Sequence, residues 1–139
     1  MAVTALATSL GCTNTSPKTT SPTPSASSSS ASPAELTAPE QRPGHHRLAA
    51  GGPRSGDWNL GSVRFPEGIS WVNADCVADT GTGKLTLAID TVGEFTVDCP
   101  STEVRINVNQ LDLVEGRKGR FRVETSDNVR WTADIQVPD

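Results

Sequence analysis

Residues 71–99 read WVNADCVADTGTGKLTLAIDTVGEFTVDC, and this stretch decides the fold. Two runs of alternating apolar residues follow one another: Leu85, Leu87 and Ile89, then Phe95 and Val97. An alternation with a period of two is typical of a strand that buries one face. Turns rich in glycine and threonine, at residues 79–83 and 91–93, separate the runs. The stretch therefore predicts the centre of a small β-domain.

Two cysteines, Cys76 and Cys99, lie on the apolar faces of this stretch. Cys99 is in phase with Val97, and Cys76 is in phase with Ala74 on the preceding strand. Both side chains are then expected to point into the core, as a core disulfide requires. A bond closing this loop would contribute roughly 3 to 4 kcal/mol in the chain-entropy model. The alternative is two buried free thiols in a reducing compartment.

Alternation outside the central stretch extends the prediction to seven strands between residues 55 and 139. The six aromatic residues of the chain all lie between residues 58 and 131. Short strands with turns every 8–15 residues indicate an antiparallel β-sandwich. An all-β, immunoglobulin-like sandwich is the default expectation, although Trp71 precedes the two cysteines instead of lying between them.

The fifth predicted strand contains a change of phase. Ile106 and Val108 share one phase, whereas Leu111 and Leu113 share the opposite phase. A one-residue bulge near residues 109–110 would bring both apolar pairs to the same face.

The chain begins MAVTALATSLGC, an uncharged and mostly apolar run that ends in Gly11–Cys12. This segment, residues 1–12, resembles the end of a bacterial lipoprotein signal peptide, in which a small residue precedes a lipidated cysteine. The resemblance implies that Cys12 is lipidated and becomes the mature N-terminus. Two acyl chains on such a cysteine give stable membrane anchoring, and the assignment accounts for the third cysteine of the chain.

Residues 13–54 are predicted to be a disordered linker. Between residues 13 and 34, all but Asn14 and Lys18 are Ser, Thr, Pro or Ala. Residues 35–54 are more mixed but contain several Pro and Gly residues and no aromatic residue. Such compositions rarely bury enough apolar surface to offset the entropy of ordering. The predicted organisation is thus a signal-like segment, a linker and a β-sandwich domain over residues 55–139.

This organisation resembles the small secreted lipoproteins of unknown function that are common in high-GC Gram-positive bacteria, the actinobacteria. They combine a lipidated cysteine, a Ser/Thr/Pro-rich tether and a compact β-domain with one disulfide. The resemblance implies a lipid anchor through Cys12 at the extracytoplasmic face of the cell membrane. It implies no particular activity.

Composition excludes several kinds of chemistry from the predicted domain. Residues 55–139 contain no histidine, which excludes Ser-His-Asp and Cys-His catalysis and zinc sites built on Cys and His. No cofactor or metal is expected. The same residues carry 8 basic and 14 acidic side chains, a net charge of 8 − 14 = −6. This balance argues against nucleic acid as a partner, because phosphate contacts need a positive surface.

The expected function is a non-catalytic binding or structural module that contacts a cell-envelope glycan or protein. An alternative is a carbohydrate- or cell-wall-binding module that uses Trp71 as a ligand contact. Trp71 is out of phase with Val72 and Ala74, so its ring is expected on the opposite face of the strand. A third hypothesis is a hydrolase that uses two of the many carboxylates as acid and base.

Overall fold

The structure is a computed structural model that describes residues 34–139 as eight β-strands without a helix. The strands are β1 (His45–Ser55), β2 (Trp58–Phe65), β3 (Gly68–Ala78), β4 (Thr82–Ile89), β5 (Gly93–Pro100), β6 (Arg105–Leu113), β7 (Arg117–Thr125) and β8 (Val129–Pro138). The signal-like segment with Cys12 and the linker as far as residue 33 lie outside the described residues. Within residues 34–139 no helix is long and apolar enough to cross a membrane.

The strands form two antiparallel four-stranded sheets. Sheet 1 has the order β1-β8-β3-β6 and sheet 2 has the order β2-β7-β4-β5. Four antiparallel pairs are nested like the arms of one long hairpin: β1–β8, β2–β7, β3–β6 and β4–β5. Two further pairs complete the sheets: β3–β8 in sheet 1 and β4–β7 in sheet 2. This winding is that of a jelly roll.

The predicted all-β antiparallel sandwich is confirmed, but the immunoglobulin-like strand order is not observed. Strand order depends on which distant strands pair, and a period-two alternation specifies only which face of each strand is buried. The immunoglobulin default assumed seven strands, whereas an additional first strand here pairs with the last one.

The inward faces of both sheets form one apolar core, and the disulfide joins them through it. Cys76 on β3 and Cys99 on β5 are bonded, with their Cα atoms 5.5 Å apart, and both are fully buried. Trp131 is also fully buried, and Trp58 packs against it with ring centroids 5.9 Å apart. The predicted disulfide pairing is therefore present.

Strand β1 lies within residues that the sequence analysis assigned to the linker. It is an edge strand of sheet 1 with two register shifts, and edge strands tolerate a proline such as Pro53. Its backbone packs closely on aromatic residues: a Cβ atom at Gly51 would lie 2.6 Å from the Trp58 ring. Because the strand contains small residues and its register is shifted twice, it shows no regular alternation of apolar residues in the sequence.

Strand β6 contains no bulge. It pairs with β3 in one continuous register from Gly68↔Leu113 to Cys76↔Arg105. The change of phase therefore leaves one apolar pair outside the core. Leu111 is buried, whereas Ile106 and Val108 are 70% and 45% exposed.

Candidate functional site

A row of polar side chains is buried on the outer face of sheet 1. The outer face of an antiparallel sheet usually meets water, yet each of these residues is at most 8% exposed. The row consists of Asn73 and Asp75 on β3 and Thr132, Asp134 and Gln136 on β8. A further part of the chain must therefore cover this face.

Residues 34–44, named here the cover segment, lie over the row. Leu36 of the cover segment is only 6% exposed. The hydroxyl of Thr132 donates a hydrogen bond to the carbonyl of Thr37, at 3.1 Å. These contacts bring an irregular segment onto a sheet face that already carries polar groups able to bond its backbone.

Gln136 makes two of the hydrogen bonds that hold the cover segment. Its side-chain amide donates to the carbonyl of Glu40, and its side-chain oxygen accepts from the backbone N–H of Arg42, both at 2.8 Å. The guanidinium of Arg42 then lies 4.0 Å from the centroid of the Trp71 ring. A single buried amide thus fixes the cover segment at two points.

Asp134 is a fully buried carboxylate whose oxygens have several donors. It accepts hydrogen bonds from Arg47 Nε at 2.9 Å, Asn73 Nδ2 at 2.7 Å and Gln136 Nε2 at 2.9 Å. Arg47 also donates to the carbonyl of Pro39 in the cover segment. Asp134 is therefore a structural charge, paired and out of reach of a ligand.

Asp75 differs from Asp134 although the two lie close enough to interact. It is 8% exposed and makes no hydrogen bond within the described part of the chain. Burial raises the pKa of its carboxyl group, and the negative charge of Asp134 raises it further. Among residues 34–139, Asp75 is thus a largely buried acid with no hydrogen-bond partner, and it lines the groove described next.

Asp75 lines a groove of about 520 Å³ beside the cover segment. The groove is lined by residues 37–43, by Asn73 and Asp75 of β3, and by Ile106 and Val108 of β6. In the strand register Asp75 lies opposite Ile106, and Asn73 lies opposite Val108. The groove consequently combines one carboxylate with an apolar strip on the neighbouring strand.

Trp71 lies on the outer face of sheet 1, two residues before Asn73, and is half-buried. Its position on that face agrees with the phase of its strand. The Arg42 guanidinium covers one face of its ring, so an incoming ligand would meet Arg42 first. Trp58 and Trp131 instead pack against each other at the core.

No metal site is apparent within residues 34–139. No group of three or more His, Cys, Asp or Glu side chains is placed to hold a metal ion there. Asp75 and Asp134 interact, but only Asp75 lines the groove. The other carboxylate that lines it is the exposed Glu40 of the cover segment.

Sequence reasoning did not bring Asp75 and Asn73 into one site, and it placed Ile106 and Val108 on the same face as Leu111 and Leu113. The change of phase in β6 was the available signal, because a strand without a bulge must leave one of its two apolar sets exposed. The burial of Asp75 had no comparable signal, since it depends on the cover segment.

No family model, curated protein or solved structure matches this chain. The jelly-roll order accommodates many unrelated functions, lectin domains and viral capsid proteins among them. The function must accordingly be argued from the groove and its residues.

Proposed function

We propose that this protein is a membrane-tethered, extracytoplasmic lipoprotein whose β-sandwich is a non-catalytic binding module. The observation that carries the binding role is the groove lined by Asp75, which has no hydrogen-bond partner among the described residues. A buried carboxylate without a partner costs free energy, and such a cost is expected where a ligand supplies the missing partner.

The proposed location is supported by the disulfide and by the lipoprotein-like start of the chain. A disulfide between Cys76 and Cys99 persists in oxidising compartments and is rare in the cytosol. Metabolic labelling with an alkyne fatty acid, followed by membrane fractionation, tests the anchor at Cys12. We expect labelled wild-type protein in the membrane fraction, and unlabelled Cys12→Ser protein outside it. Wild-type protein that takes up no fatty acid would contradict the anchor.

Binding in the groove is testable by NMR titration of the isotope-labelled full chain with defined envelope fragments, such as muropeptides and wall glycans. We expect shifts to concentrate at Asn73, Asp75, Ile106 and Val108. Val108→Arg should block binding, because it places a long side chain in the groove. The matched control is Thr96→Arg, at an exposed position on β5, the edge strand of sheet 2.

A titration in which Val108→Arg and Thr96→Arg bind like wild type would contradict the groove as the ligand site. Shifts that cluster on the outer face of sheet 2 would do the same.

A second candidate is a carbohydrate- or wall-binding module that uses Trp71. The ring lies on the same outer face as Asn73, and sugars stack on exposed aromatic rings. Because Arg42 covers the ring, this function requires Arg42 to move aside. On a glycan array, Trp71→Ala would then abolish binding and Arg42→Ala would strengthen it. Glycan binding that survives Trp71→Ala would rule out this platform.

A third candidate, a carboxylate-based hydrolase, rests on the raised pKa of Asp75. A general acid needs such a pKa, and a glycosidase needs a second carboxylate beside it. Glu40 is the other acid lining the groove. We expect no release of new sugar ends from wall glycans. Release that disappears in Asp75→Asn would replace the binding module with a hydrolase.

A further inference from the structure

We propose that the ligand recognised in the groove carries an aliphatic primary ammonium group, which pairs with Asp75 while its alkyl chain lies on Ile106 and Val108. This inference rests on the proposed binding function and specifies the chemistry of the ligand.

The first argument is the balance of charge around Asp75. Arg47 is already bonded to Asp134. Arg42 has its guanidinium on the Trp71 ring. The charged side chains that line the groove or contact its buried acids are Asp134, Arg47, Glu40 and Arg42. Counting Asp75, these three acids and two arginines give the site a formal net charge of −1.

The second argument concerns the two causes that raise the pKa of Asp75. Burial disfavours its anion, and the charge of Asp134 disfavours it again. A cation in contact with Asp75 counteracts both effects. A neutral ligand would displace water without adding charge, and would therefore make the anion less favourable. The carboxylate thus selects for a positively charged group.

The third argument is the apolar strip beside the carboxylate. Ile106 and Val108 are 70% and 45% exposed, an unusual feature for large aliphatic residues on adjacent outward positions. Ile106 lies opposite Asp75 on the neighbouring strand, at a spacing of about 4.8 Å. An alkyl chain of about four methylenes can cover the strip while its ammonium reaches the acid, as lysine side chains do on protein surfaces.

The groove volume allows two sources of this group. A space of about 520 Å³ accommodates a free alkylamine, and also the side chain and part of the backbone of a lysine-type residue in a peptide. A compact ammonium on a flexible alkyl chain reaches a largely buried carboxylate more easily than a planar guanidinium, whose bidentate pairing needs both carboxylate oxygens accessible in one plane.

The test is titration of the labelled full chain with pentylamine, with Nα-acetyl-lysine methylamide, and with 1-pentanol as the neutral isostere. At pH 7 we expect at least one amine to shift Ile106 and Val108, and 1-pentanol to bind at least about tenfold more weakly. Asp75→Asn keeps the shape of the side chain and should lower amine affinity at least about tenfold. Asp98→Asn, on the outer face of sheet 2, is the matched control and should leave amine affinity unchanged.

The two amines distinguish the sources of the ligand. Tighter binding of the acetyl-lysine compound indicates a peptide, whereas equal binding indicates a free amine. Amine affinity should also fall as the pH is lowered through the pKa of Asp75, because protonation removes the charge that pairs with the ammonium.

The inference is overturned if 1-pentanol binds as tightly as pentylamine, if Asp75→Asn retains amine binding, or if neither amine binds. In each case the titration with envelope fragments still decides the proposed function separately. A neutral fragment that shifts the groove residues would keep the binding module and reject only the ammonium group.

Discussion

The outer faces of the two sheets carry similar polar residues but differ in what covers them. On sheet 2, Lys84 and Asp98 form an ion pair at 2.8 Å with both side chains 68% exposed. On sheet 1, Asp134 is fully buried and pairs with Arg47 at 2.9 Å. The cover segment makes the difference, because it lies on sheet 1 alone among the described contacts.

This contrast shows that a covering segment determines whether polar groups on an outer face contribute to stability or carry a cost. Exposed ion pairs contribute little stability, because water solvates and screens both partners. The same groups under a covering segment must be fully bonded, and any that is not becomes costly. Asp134 is bonded and Asp75 is not, so the covered face holds both a structural network and a candidate ligand site.

The largest expected effect comes from the bond that joins the two sheets. Replacing both Cys76 and Cys99 with Ala should lower the free energy of unfolding by about 3 to 4 kcal/mol in the chain-entropy model. Urea denaturation of the variant and of reduced wild type measures it. Both sheets should lose stability together, since they share one core. A variant that releases only the cover segment would contradict that expectation.

The next effect compares two aspartates on opposite faces. Asp134→Ala leaves the donors of Asn73 and Gln136 buried without an acceptor and removes the partner of Arg47. We expect it to lower the free energy of unfolding by about 2 to 4 kcal/mol. Asp98→Ala, on sheet 2, should have a much smaller effect on urea denaturation, because its ion pair with Lys84 is exposed. Equal effects of the two substitutions would contradict the claim that the covered aspartate contributes more to stability than the exposed one.

A smaller effect tests the cover segment itself. Gln136→Ala removes the hydrogen bonds to Glu40 and Arg42 and the one to Asp134, and should lower the free energy of unfolding by about 1 to 3 kcal/mol. Hydrogen exchange in residues 34–44 should become faster, measured by mass spectrometry, while the strands of sheet 2 stay protected. Thr96→Ala is the control and should change neither quantity. Unchanged exchange in the cover segment would show that other contacts suffice to hold it.

The smallest expected effect is on the pH dependence of stability, which should have opposite signs for an aspartate on the outer face of sheet 1 and one on that of sheet 2. Because the folded pKa of Asp75 is raised, the folded state binds more protons than the unfolded state between the two pKa values. The ionised group therefore lowers stability as pH rises from about 4. Asp75→Asn should raise the melting temperature at pH 7, and the gain should shrink in acid.

Asp98 provides the opposite case. Its hydrogen bond and charge interaction with Lys84 lower its pKa. The ionised carboxylate therefore adds a small contribution to folding stability above about pH 4, and this contribution is lost as pH falls through the lowered pKa. Asp98→Asn should lower the melting temperature slightly at pH 7 and not in acid. Shifts of the same sign in both variants would contradict the assignment of the two environments.

Much of the sandwich could be predicted from local pattern alone. The alternation in β4 and β5 and the phases of Cys76 and Cys99 depend only on neighbouring residues. Strand β1 could not be found in this way. Position 51 requires a glycine because a Cβ atom there would clash with the Trp58 ring. A residue chosen for close approach to a distant partner leaves no periodic signal.

The sequence by itself determined the fold class, the inward faces of most strands and the disulfide. These follow from periodicity and composition, which are local properties. Only the tertiary structure decided the jelly-roll order, the exposure of Ile106 and Val108, and the burial of Asp75 beneath the cover segment. Those features arise from contacts between residues far apart in the chain, and neither propensity nor alternation encodes which distant segments meet.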